Sequence, residues 1–229
     1  MKKRCCLGLM YGVCIALCIG LAIPALTEEN AEEGKAQERI QTELKAQQER
    51  AEQTKCPMSG NPVAEGQGFV YNGYMLKTCC PNCARGVEKD PVSAIQKIRA
   101  NGEEPQLAEG YALQDRCPMS GKPVKDDIFM VIDNQLVKFC CPGCPRGFEE
   151  DPKGVLMKMS ESKQAPIILT LAQETCPVSG HAISGNMSVE HEGKIVELCC
   201  EGCKGQFNEN PEKFMKQLSS EGVYLKPAQ

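Results

Sequence analysis

Four cysteines recur three times in this chain at identical spacing, and that pattern constrains its fold more than any other feature. CPMSG opens at Cys56 and again at Cys117, and CPVSG opens at Cys176, so the starts lie 61 and then 59 residues apart. In each copy a cysteine pair begins 23 positions after the start, and a further cysteine follows four positions after the first of that pair. The sets are Cys56, Cys79, Cys80, Cys83; Cys117, Cys140, Cys141, Cys144; and Cys176, Cys199, Cys200, Cys203. With Pro91, Pro152 and Pro211 at equivalent places, a 36-residue block aligns three times without a gap. Eight columns are identical in all copies and four of them are cysteine, so what the repeats kept in common is mainly sulfur.

Composition agrees with small units rather than one large core. Among 229 residues, aromatics make up 5%, tryptophan is absent, and there are 21 glycines and 15 prolines. A unit of about 45 residues sits near the size at which disulfides, metals or partners supply missing stability. Adjacent Cα atoms lie about 3.8 Å apart, whereas disulfides want roughly 4.4–6.8 Å, so the paired cysteines are poorly placed to bridge each other. A metal site asks for three or four sulfurs about 2.3 Å from one centre. A thiolate metal site is the leading reading; a disulfide knot and free buried thiols are the alternatives. If metal binding supplies the folding free energy, removing the metal should melt each unit.

Local signals give each unit a hairpin and two helices. CPxSG is a tight turn. Asn72-Gly73, Asp133-Asn134 and Glu192-Gly193 separate short apolar runs, which is a hairpin signature. The third cysteine opens a helix in which Cys83/Val87, Cys144/Phe148 and Cys203/Phe207 share a face. Asp90-Pro91, Asp151-Pro152 and Asn210-Pro211 place a cap before a first-turn proline, starting a second helix. Strand alternation sets Cys80 on the face of Leu76 and Thr78, and Cys79 with Lys77. It thereby aims the second cysteine at the core. The fold class is small α+β, with modules at 56–100, 117–160 and 176–220 and linkers over 101–116 and 161–175.

The pattern of cysteine, about twenty residues, cysteine, three residues, cysteine resembles the TRASH and YHS families of small metal-binding modules. It reads here as Cys56–Cys79–Cys83, Cys117–Cys140–Cys144 and Cys176–Cys199–Cys203, with Phe148…Asp151-Pro152 and Phe207…Asn210-Pro211 matching the trailing aromatic and Pro. The resemblance implies treble-clef-like modules and a role in heavy-metal binding, sensing, trafficking or resistance. It departs at Ser59, where YHS modules often carry their cysteine. The fourth ligand is thus left open. All twelve cysteines are candidate ligands, Zn2+ is the leading metal, and Cu(I) or another soft ion is the alternative.

Lys2, Lys3 and Arg4 precede an uncharged, largely apolar stretch from Cys5 to Leu26, which reads as a cleaved export signal or a retained membrane anchor. The expected location is periplasmic or extracellular. Residues 27–55 are polar, with Ile40 and Leu44 their two sizeable apolar residues, and read as a solvated helical spacer or a coiled-coil stalk. Net charge is −4, which disfavours nucleic acid. His181 and His191 occur in the third copy alone and read as surface residues. Met58 and Met119, replaced by Val178 in the third copy, read as core packing. The thiols have no repeated histidine or carboxylate partner, so an enzyme is not expected. The function expected is metal binding, delivery or sequestration, and a protein partner in metal handling fits the same reading. Structural zinc modules forming an interaction scaffold and a thiol redox protein are the alternatives.

Overall fold

The computed structural model describes residues 28–228, with side chains from residue 34 onward; the apolar stretch up to residue 26, with Cys5, Cys6, Cys14 and Cys18, lies outside the described residues. Helix α1 (Glu28–Glu49) leads into three copies of one unit, and the described residues form a small α+β fold of seven helices and several small sheets.

The first unit comprises β1 (Ala51–Glu52), β2 (Gly68–Tyr71), β3 (Tyr74–Lys77), α2 (Pro81–Lys89), α3 (Pro91–Ala100), β4 (Glu103–Glu104) and β5 (Gln106–Leu107). The second comprises β6 (Ala112–Leu113), β7 (Lys125–Ile132), β8 (Gln135–Phe139), α4 (Cys144–Glu150), α5 (Pro152–Glu161), β9 (Gln164–Ala165) and β10 (Ile167–Ile168). The third contains β11 (Met187–His191), β12 (Lys194–Leu198), α6 (Glu201–Glu209) and α7 (Pro211–Ser220).

The hairpins turn where the sequence puts them. Both central residues of each turn have positive φ: Asn72 and Gly73 at 46° and 86°, Asp133 and Asn134 at 46° and 63°, Glu192 and Gly193 at 48° and 70°. Two positive values in a row match the right-handed twist of the flanking strands. The Asp90, Asp151 and Asn210 side chains accept the backbone N–H groups of Ser93, Gly154 and Lys213, capping α3, α5 and α7. Each unit then closes on a small core. Leu76, Val87, Ile95 and Ile98 fill the first; Val137, Phe139, Phe148 and Met159 the second; Val196, Leu198, Phe207 and Leu218 the third.

Segments that read as linkers are structural. The strand before each hairpin pairs in parallel with a strand after the helices: β1 with β4, β6 with β9, and Leu171 with Val223. The chain then adds a further strand or bridge to the second hairpin strand, β5 on β3, β10 on β8, and Pro227 beside Lys194. The repeat therefore extends well beyond the 36-residue block on both sides.

The units also grip one another. Tyr74 donates its hydroxyl to the Pro166 carbonyl at 3.1 Å, joining the first unit to the second. Asn134 Nδ2 donates to the Gly222 carbonyl at 3.2 Å, joining the second to the third. Tyr224 donates to Asp90 at 2.6 Å, joining the third back to the first. The three hairpin tips share a cavity of about 530 Å³ lined by Tyr71, Asp133, Asn134, Glu192 and Gly193 among others.

Helix α1 corrects the expectation of a solvated spacer. Ile40 is 2% exposed and, with Leu44, packs on Val131, Leu136 and Leu169. Two apolar residues four apart make a stripe narrow enough to miss, yet wide enough to dock one helix. Polar contacts complete the docking. Gln47 donates to the Ile168 carbonyl at 3.0 Å and Arg39 to that of Ala172 at 2.8 Å. Arg99, with a side chain 4% exposed, meets Glu104 through Nε (3.0 Å) and Nη2 (2.6 Å), Thr170 at 3.0 Å and Glu43 of α1 at 3.5 Å. Among the described residues, no helix is long and apolar enough to cross a membrane.

Candidate metal centres

Each first cysteine sits at the base of the CPxSG turn. The Gly60, Gly121 and Gly180 amides donate back to the carbonyls of Cys56, Cys117 and Cys176, each at 2.8 Å. Those glycines have φ of 73°, 69° and 68°, a region that side chains with a Cβ rarely adopt, so the turn needs glycine there. The turn points the first sulfur inward, leaving Cys56, Cys117 and Cys176 each 1% exposed.

The end of the second hairpin strand then delivers the next sulfur and the following helix the last. Ligand sulfurs of Cys56, Cys79 and Cys83 lie within 4.8 Å of one another, and the same holds for Cys117, Cys140, Cys144 and for Cys176, Cys199, Cys203. Within them, Cys79–Cys83, Cys140–Cys144 and Cys199–Cys203 are 3.7, 3.8 and 3.6 Å apart. Ligands about 2.3 Å from a tetrahedral ion are separated by roughly 3.8 Å, so these sulfurs already stand at ligand spacing. Among the described residues, all twelve cysteines are free thiols and none forms a disulfide.

In the second and third copies the paired cysteines reverse the facing read from strand alternation, and in the first both are half-buried. Strands β3, β8 and β12 end before the pair, so the alternation stops with Thr78, Phe139 and Leu198, each buried. The chain bends there. Cys80 and Cys200 become caps of α2 and α6, with extended backbones at φ −163° and −160°. Cys141 and Cys200 are exposed, whereas Cys140 and Cys199 pack partly against the cores. The first of each pair still joins the triad. The second stands outside it, with Cys141 3.5 Å from Cys144 and Cys200 3.4 Å from Cys203.

The triads are electrostatically prepared for a cation. Burial alone would raise the Cys56 pKa, but the Ser59 hydroxyl and the amides of Cys79, Met58 and Ser59 outweigh it and bring it down to about 6. Cys117 falls to about 7 against the same burial, through Ser120 and the corresponding amides. Cys176 also falls to about 7, its first favourable partner being the Cys199 amide. The third cysteine moves the other way, to about 12. For Cys83 the chief cause is the Cys80 thiol, and for Cys144 it is burial, followed by Cys141. Each triad thus concentrates thiolate character at its base and holds a proton that a bound metal would displace.

Serine fills part of the fourth side. Ser59, Ser120 and Ser179 place their hydroxyls 3.2, 3.1 and 3.2 Å from Cys79, Cys140 and Cys199. Neither histidine joins the third triad, where the grouped ligand atoms are sulfurs alone. His181 is exposed, as expected of a surface residue. His191 instead sets its ring edge-on to Phe207, with centroids 6.0 Å apart. The core reading of two methionines is corrected: Met58 and Met119 are 45% and 41% exposed, each with its methyl group against the helix at Gly86 or Gly147. Val178, their counterpart, packs on the third core.

A glutamine three residues before each first cysteine is part of the site, and the cysteine-bounded block hides it. Gln53, Gln114 and Gln173 donate to the carbonyls of Lys77, Lys138 and Glu197 at 2.7, 2.8 and 2.6 Å, and accept the amides of the same residues at 2.8, 2.8 and 3.0 Å. The Nε2 groups of the three glutamines also donate to the carbonyls of Lys55, Arg116 and Thr175 at 2.9, 3.1 and 3.0 Å. One side chain thus pins the CPxSG turn to the strand that carries the next ligand. Extending the repeat alignment three residues upstream would have found it. Gln114→Ala should destabilise the fold by about 1–3 kcal/mol, because it orphans buried backbone groups. It should also weaken the middle metal site, as read by denaturant titration and metal competition on the same variant.

Comparison with family models, curated proteins and solved structures returned no match. What the structure defines is the class: a cysteine-rich repeat protein with three clusters suited to metal ions.

Proposed function

We infer that the chain is an extracytoplasmic soft-metal-binding protein that binds, delivers or sequesters ions at three thiolate triads. The carrying observation is the threefold recurrence of unbonded sulfurs at ligand spacing. The ligands are Cys56, Cys79, Cys83; Cys117, Cys140, Cys144; and Cys176, Cys199, Cys203. A turn, a strand end and a helix start supply the three positions, an arrangement in keeping with treble-clef-like modules of the TRASH and YHS type. Zn2+ suits the sulfur set and Cu(I) is the soft alternative, toward which the exposed Met58 and Met119 thioethers would tilt the first two sites. The apolar stretch behind Lys2, Lys3 and Arg4 supports export, cleaved or anchored. The protein carries no catalytic machinery in this reading; its partners are metal ions and a protein that exchanges them.

The purely structural reading, zinc as a folding staple, is opposed by a first core that contains no cysteine and by backbone β pairing that closes every unit, although Cys117, Cys176 and Cys203 do pack in the second and third cores. Two results are expected. Anaerobically purified protein should contain close to three soft metal ions per chain by elemental analysis; a metal-free chain would refute the reading. Chelation should leave far-ultraviolet circular dichroism largely intact, replacing the expectation that the units melt. Loss of most of that signal would restore the staple.

A further inference from the structure

The third cysteine of each site belongs to two sulfur pairs at once. Cys203 lies 3.6 Å from its triad partner Cys199 and 3.4 Å from Cys200, which stands outside the triad. Cys144 likewise lies 3.8 Å from Cys140 and 3.5 Å from Cys141. The second pair has C-x-x-C spacing in every copy, as Cys80–Cys83, Cys141–Cys144 and Cys200–Cys203. Closing 3.4 Å to the roughly 2.05 Å of a disulfide asks each sulfur to move about 0.7 Å. Exposure separates the two partners. Cys141 and Cys200 are open to solvent, while Cys144 is half-buried and Cys203 buried. With an ion in the triad, the outer cysteine is the thiol that an external disulfide can still reach.

We propose that the second and third sites release their metal by thiol–disulfide exchange, with Cys141 and Cys200 as the attacking thiols. The proposal rests on the triads being the metal sites. The co-reactant is a disulfide, RSSR, small or carried by a protein. The Cys200 thiolate attacks one of its sulfurs, forming Cys200–S–S–R and expelling RS⁻. Cys203 then leaves the metal and attacks the Cys200 sulfur, forming the Cys200–Cys203 disulfide and expelling the second RS⁻. Two electrons pass from the two cysteine thiolates to RSSR, and the ion keeps at most Cys176 and Cys199. A dithiol reverses both steps and restores the triad. The first site shares the spacing, but its Cys80 is half-buried, so it should exchange more slowly.

The test loads the full chain with Zn2+ anaerobically, adds oxidised glutathione, and follows free Zn2+ with an indicator while disulfides are mapped by peptide mass. Zn2+ should appear with one glutathione disulfide consumed per emptied site. The mapped bonds should be Cys141–Cys144 and Cys200–Cys203, and dithiothreitol should restore binding. The Cys141→Ser/Cys200→Ser double variant should bind the same three ions and release two of them at least tenfold more slowly. Retained metal under oxidation, a Cys199–Cys203 bond in the unsubstituted chain, or unchanged release from the variant would overturn the proposal. So would a variant that binds fewer ions, since the outer cysteines would then be ligands. An unsubstituted chain that binds no metal before glutathione is added overturns the metal reading itself, and this proposal with it.

Discussion

Cys140→Ser in the full chain should reduce bound metal from three ions to two, and Cys141→Ser should leave three. The two residues are neighbours in sequence and of the same type, so composition cannot separate them. Position does. Cys140 lies in a triad whose sulfurs are within 4.8 Å of one another, and its sulfur is 3.8 Å from Cys144. Cys141 is exposed and outside that group. Disturbing groups that merely support ligands typically costs about 10–100-fold in affinity, so losing one of three sulfurs should exceed about 100-fold at the middle site. Cys141→Ser should cost less than about tenfold by the same scale. Competition against a thiol-compatible indicator reads both. Equal losses would make the site four-sulfur, and the reverse order would refute the assignment.

The largest stability effect is expected at Arg99. Its guanidinium is buried, bonds Glu104 bidentately, reaches Thr170 ahead of the third unit and faces Glu43 on α1. Arg50 adds a second cation between Glu43 at 2.9 Å and Glu104 at 3.2 Å. Removing one member of a buried ion pair costs about 3–5 kcal/mol, and Arg50, which still meets both carboxylates, should keep the loss near the lower figure. Arg99→Met, which keeps the aliphatic packing, should therefore lower stability by that amount in urea titration at neutral pH. A change below about 1 kcal/mol would mean that water relieves the carboxylates. Acid should act on the same network. Burial would raise the Glu43 pKa, but hydrogen bonding to Arg50 and the charges of Arg99 and Arg50 hold it below its ordinary 4.5. Glu103 is lowered as well, the Thr54 and Lys55 contacts outweighing its burial. A depressed carboxylate stabilises the fold fully above its unfolded pKa and loses that contribution as pH falls through the folded one. The urea midpoint should thus hold down to about pH 5 and decline below about 4.5.

The sequence by itself determined the repeat, the hairpin tips, the Asx-Pro helix starts and the twelve candidate cysteines, nine of which the fold groups into triads. These are legible because turn chemistry, capping and sulfur spacing act within a few residues of the chain. The buried Val87, Phe148 and Phe207 were legible for the same reason, one helical turn beyond the third cysteine. Tertiary structure decided the rest. Alternation could not place Cys80, Cys141 and Cys200, because the strand stops before the pair and a helix start re-aims the second sulfur. The Gln53, Gln114 and Gln173 clamps reach carbonyls 24 residues away, a partner that no local pattern names. The segments between modules looked like linkers because strands of two residues carry too little periodicity to read, yet paired across the fold they close each unit. Helix α1 looked solvated because two apolar residues make a weak stripe. The surface formed by Val131, Leu136 and Leu169 gives that stripe something to bury, and this surface exists only once the chain after β10 has folded back onto the second hairpin.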